Sequence, residues 1–138
     1  MDIRSEIHKI MDGENMRSGE MLLDFERLHP DQSDEFWTEI EYLCCHGEGK
    51  YRKISLATLT FANRSLPNNE LDGLIDKIGN DFKEYADILP YIVLMIKKMK
   101  RANYLAFCES IYDWSVKEDS AHVRVNTERC LTELKNNM

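Results

Sequence analysis

Apolar residues recur at helical spacing along nearly the whole of this chain. Ile3, Ile7 and Ile10 stand one and two turns apart. Ser18 is placed to cap a helix carrying Met21, Leu22, Phe25 and Leu28, which should end near His29 and Pro30. A better-marked helix starts at Ser33, with Asp34 and Glu35 in its first turn, where carboxylates favour the helix dipole. Phe36, Ile40, Leu43 and Cys44 form its inner stripe, and Gly47 is positioned to end it. From about Lys50 to Asn63 the apolar positions are Ile54, Leu56, Leu59, Phe61 and Ala62. The stretch SLPNNE breaks the chain at Pro67, and Asn68 or Asn69 can cap a short helix of Leu71, Leu74, Ile75 and Ile78, closed by Gly79. Phe82, Tyr85 and Ala86 suggest a short piece. Asp87 is a candidate cap for the next helix, which tolerates Pro90 in its first turn and buries Ile92, Val93, Met95, Ile96 and Met99. Tyr104, Phe107, Cys108, Ile111 and Trp114 share one face of a helix from Asn103 to Val116. A last helix starts near Ser120 with Val123, Cys130, Leu131 and Leu134. This amounts to about eight helical segments with short connections and no alternating run, a pattern that packs helix on helix.

Two of these segments resemble each other. YRKISLATLTFA, from Tyr51, and VRVNTERCLTEL, from Val123, both read apolar, Arg, then small residues and Leu at fixed spacing. The matched positions are Tyr51, Arg52, Ser55, Thr58, Leu59 and Ala62, and Val123, Arg124, Thr127, Cys130, Leu131 and Leu134. They lie 72 residues apart, twice the period of about 36 common in two-helix solenoids. The pattern resembles the second helix of HEAT repeats, where Val-Arg precedes small residues and Leu. The consensus alanines are Ser, Thr and Cys here. The copy expected near Asp87, DILPYIVLMIKK, has Pro90 and no matching arginine. The resemblance implies an all-α fold of antiparallel helix pairs stacked as a short HEAT-like α-solenoid over one domain, residues 1–138; an irregular helical bundle is the alternative.

Composition narrows the function. Hydrophobic residues make up 43% of the 138, enough for a folded core. No apolar run approaches the roughly 18 residues of a membrane span, and the longest, Ile88 to Ile96, contains Pro90. The charged N-terminal stretch lacks the apolar core of a signal peptide, and four cysteines, two adjacent, suit a reducing compartment, so a cytoplasmic location is expected. The net charge is −7 and uneven: eight acids against Arg27 between Asp24 and Glu48, and six against Lys77 and Lys83 between Glu70 and Asp87. Such a surface repels nucleic acid and draws in basic partners.

The run Cys44–Cys45–His46 raises a metal or redox site. Metal ligands come at chelating spacing with a second pair elsewhere, whereas Cys108 and Cys130 stand alone on core stripes. The run therefore reads as a helix end, with no metal or cofactor expected. No phosphate loop, nucleophile elbow or zinc-protease motif is present, the four histidines are scattered, and an enzyme is not expected. Trp37, Trp114 and Tyr112 suit core packing as well as binding. Tyr42 shares a helix face with Glu35 and Glu39, turned away from Phe36, Ile40 and Leu43, and offers a seat for a basic surface.

The size, acidity and lack of catalytic motifs look like bacterial immunity proteins, which bind and block toxin domains that are often basic nucleases. That likeness implies a basic protein partner, with no nucleic acid and no membrane. The expected contacts are Asp31, Asp34, Glu35, Glu39 and Tyr42, then Glu70, Asp72 and Asp76. An adaptor or regulatory subunit on the same fold, without a toxin to silence, is the other reading.

Overall fold

A computed structural model describes residues 2–13 and 17–137 of the chain. These form eight α-helices and two 3-10 turns, and no strand occurs among them. The helices are α1 (Ile3–Asp12), α2 (Ser18–Leu28), α3 (Ser33–His46), α4 (Lys50–Phe61), α5 (Asn68–Ile78), α6 (Leu89–Lys98), α7 (Leu105–Lys117) and α8 (Ala121–Asn136). The 3-10 turns Pro30–Gln32 and Ala102–Tyr104 lead directly into α3 and α7. The chain forms two compact units, Met1–Gly73 and Leu74–Met138.

In the first unit α1 packs on α2 and α3, and α4 packs on both α2 and α3. The core face of α1 is Ile3, Ile7 and Met11, spaced one turn apart and buried. Asp2 caps this helix: its carboxylate accepts from the Arg4 backbone N–H at 3.1 Å and from the Ser5 hydroxyl at 2.9 Å. The inner face of α2 differs from the expected stripe. Ser18, Gly19 and Leu22 are buried, while Met21 and Leu28 are 42% and 76% exposed. The reason is the approach of α4: a Cβ on Gly19 would stand 3.0 Å from the Phe61 ring and 3.7 Å from the Thr58 hydroxyl.

Ser18, Ser33 and Asp87 do not hold the cap positions expected of them, which fall to Arg17, Gln32 and Ile88. Ser18 and Ser33 are the first residues of their helices, and Ile88 precedes α6. At α3 the 3-10 turn removes the need, because the Ser33 N–H already donates to the Pro30 carbonyl. Gly47 does end α3, with its N–H donating to the Leu43 carbonyl at 2.9 Å. Its backbone is extended, and glycine is required for another reason: a Cβ would lie 2.5 Å from that same carbonyl oxygen. Gly79 follows α5 at a φ of +51°, the left-handed conformation that glycine adopts without strain.

In the second unit α8 packs on both α6 and α7. Residues 82–88 form turns, not the expected short helix. Phe82 anchors them, edge-on to Phe107 at 5.9 Å and to Trp114 at 6.2 Å between ring centroids.

The two units repeat one order: helix, 3-10 turn, helix, helix. The 3-10 turns begin at residues 30 and 102, and the helices after them at 33 and 105, each 72 apart. The two similar sequence segments occupy equivalent places, α4 and α8. Their small residues are the close-packing positions: Ser55 and Thr127, and Thr58 and Cys130, are all fully buried. The same register pairs buried Phe36 with buried Cys108, and buried Leu43 with buried Ser115. It also sets Glu39 opposite Ile111, so α3 carries a carboxylate where α7 carries an isoleucine.

Candidate functional site

Glu39 is therefore where the site begins. It is 5% exposed, contrary to the solvent-facing placement its spacing implied. The face of α3 that carries it is covered by α1, whose packing the local helical period does not reveal. A buried carboxylate is costly unless paired and hydrogen-bonded. Arg4 supplies the pairing, with Nε donating to the Glu39 carboxylate at 2.9 Å, and His8 Nε2 lies 3.7 Å from the same oxygen. That bond raises the Arg4 guanidinium further above its already high ordinary value.

Beside this ion pair lies an open groove of about 620 Å³, lined by Arg4, Asp34, Glu35, Thr38, Glu39 and Tyr42. Asp34 and Glu35 are exposed carboxylates. The Thr38 hydroxyl donates to the Asp34 carbonyl at 2.8 Å. Tyr42 is 52% exposed, and its ring is held by His46, with centroids 4.7 Å apart. Acidic oxygens on one helix thus flank a floor ion pair and a partly exposed aromatic ring. This arrangement suits a cationic side chain with an apolar stem, because the carboxylates attract its head and the ring covers its methylenes.

Four of the eight expected contact residues, Asp34, Glu35, Glu39 and Tyr42, meet in this groove. Asp31 is exposed on the preceding 3-10 turn and does not line it. Glu70, Asp72 and Asp76 lie on α5 and are absent from its lining. Arg4 and His8 escaped the sequence reading. Their spacing of one turn on a short helix carries no mark of a partner on α3.

A second acidic pair sits on the same unit. Burial first, and the nearby Glu70 carboxylate second, raise Glu41 above the ordinary carboxylate value, while Arg64 acts the other way. The Arg64 guanidinium carbon also stands 4.1 Å from the Trp37 ring centroid, and Trp37 is 7% exposed, a core residue as expected. Because the folded value of Glu41 lies above the unfolded one, its ionisation opposes folding. Glu41→Gln is expected to raise the thermal midpoint at a pH of about 7 and to leave it unchanged at about 3, where the carboxyl is protonated in both states. Equal effects at both pH values would contradict this environment.

The Cys44–Cys45–His46 run divides as a helix end does. Cys44 is fully buried, and burial pushes its thiol well above the ordinary range. Cys45 is half-buried, and His46 is exposed against Tyr42. Among the described residues no group of three or more His, Cys, Asp or Glu side chains stands together as a metal would need. Maleimide at neutral pH is expected to label Cys45 first and the other three cysteines only on unfolding. Labelling of Cys44 at the same rate would refute its burial. Cys108 and Cys130, isolated in sequence, do fall in the core, but α7 and α8 bring their sulfurs to 3.8 Å.

The fold defines an all-α protein of packed neighbouring helix pairs. No helix among the described residues is long and apolar enough to cross a membrane. No protein-family model, curated protein or solved structure matches the chain.

Proposed function

We propose that this chain is a protein-binding module that receives a basic surface of another protein at the groove of Asp34, Glu35, Thr38, Glu39 and Tyr42. Its most specific form is a toxin-neutralising immunity protein of HEAT-like build. The observation that carries the reading is the convergence of three α3 carboxylates and a half-exposed tyrosine on one open groove. The net charge of −7 supports it, since long-range attraction accelerates encounter with a cationic partner. The 72-residue correspondence of α4 and α8 supports the HEAT-like part. In this mechanism the exposed Asp34 and Glu35 steer and seat the partner's lysines or arginines. Buried Glu39 holds Arg4 and so keeps α1 fixed against α3 as one wall.

A second reading, an adaptor with a constitutive partner, is favoured by exposed apolar side chains. Met21 and Leu28 lie on one face of α2. One experiment separates the two. The chain is co-expressed with the products of its neighbouring genes, and both co-purification and cell survival are scored. A neighbour that kills cells alone, and is bound and silenced by this chain, supports the immunity reading. A bound but harmless partner supports the adaptor, and no bound neighbour removes the immunity reading.

A further inference from the structure

Cys108 on α7 and Cys130 on α8 face each other inside the second unit, both fully buried, with sulfurs 3.8 Å apart. We propose that this pair is a peroxide-oxidisable dithiol that closes to a disulfide joining α7 to α8 and stabilises the second unit. It is independent of the groove, which belongs to the first unit.

The geometry is near to bonding. A disulfide needs sulfurs about 2.05 Å apart, so closure requires these two sulfurs, already in contact, to draw nearer to each other. At the equivalent positions of the first unit stand Phe36 and Thr58, which cannot form such a link. The two thiols are also chemically unequal. The two sulfurs share one hydrogen bond in which either thiol can be the donor, and their surroundings differ: the Lys97 ammonium favours ionisation of Cys130, whereas the Glu109 carboxylate opposes that of Cys108. Cys130 is therefore the first to become a thiolate, which is the reactive form.

Hydrogen peroxide is the oxidant. The Cys130 thiolate attacks one peroxide oxygen, the O–O bond breaks, and the hydroxide released takes a proton and leaves as water. Cys130 is now a sulfenic acid. The Cys108 sulfur attacks the Cys130 sulfur, the S–O bond breaks, and the departing hydroxide carries off the Cys108 proton as a second water. Two thiols have been oxidised and one peroxide reduced to two waters. Because both sulfurs are buried, peroxide reaches them only when the α7–α8 pair opens, so the reaction is slow on the native chain and faster in mild denaturant.

The test treats the full chain with hydrogen peroxide in dilute urea, removes both, alkylates under full denaturation, and maps peptides by mass. The expected result is one Cys108–Cys130 cross-link, a loss of two hydrogens, and full reversal by reductant. The cross-link joins residues 22 apart, so the thermal midpoint should rise by roughly 10 °C over the reduced chain. Cys130→Ser should lose both the cross-link and the rise; if that variant does not fold, the wild-type map decides alone. Overoxidation of either cysteine without a cross-link, a link to Cys44 or Cys45 instead, or a midpoint that does not rise would each overturn the proposal.

Discussion

Phe36→Ala is expected to cost about 3–5 kcal/mol of stability, a large part of what a domain of this size possesses. Phe36 is 1% exposed, stands edge-on to Trp37 at 4.8 Å between centroids, and lies 6.3 Å from Phe25. Alanine would remove the ring from the centre of α3's packing and leave a cavity that rigid helices only partly close. Leu28→Ala is the comparison. Leu28 is 76% exposed, so its truncation should change stability by no more than about 0.5 kcal/mol. Urea unfolding followed by circular dichroism measures both. Equal losses at the two positions would refute the burial pattern of the first unit.

The second large effect concerns binding. Reversing Asp34 and Glu35 to lysine changes the net charge from −7 to −3, since each reversal adds two. At low ionic strength the on-rate for a basic partner should fall about tenfold or more, and its dependence on salt should flatten. The same charge change at Asp113 on α7 and at Glu118 just after it is the control, because both are exposed and neither lines the groove. If the control slows association equally, net charge acts alone and the groove has no special part. Glu39 is a poor residue for this test. A lysine there would face Arg4 in a buried setting and would break α1 from α3 before it reported on a partner.

The two experiments touch opposite sides of one helix, and their separation is what the proposed function requires. Phe36, Ile40, Leu43 and Cys44 hold α3 in place from within. Asp34, Glu35 and Tyr42 can then vary in charge and shape without altering the fold. Glu39 belongs to both sides, since it lines the groove and also ties α1 to α3 through Arg4.

Local period and turn chemistry by themselves determined the all-α class, the eight helices, and breaks at Pro30, Gly47, Pro67 and Gly79. The 72-residue internal similarity was also legible, because close packing restricts a helix face to small residues at fixed steps, as at Ser55, Thr58, Thr127 and Cys130. Which stripe faces inward was not always legible. Met21 and Leu28 match the helical period as well as Leu22 does, and only the approach of α4 to Gly19 turns them outward. Glu39 looked solvated because helical period records neighbours along one helix and contains nothing about α1. Cys108 and Cys130 looked isolated for the same reason: a separation of 22 residues becomes 3.8 Å only when α7 and α8 fold against each other. Periodic patterns specify each helix face, whereas the meeting of two faces is set by tertiary packing, and there the groove and the thiol pair arise.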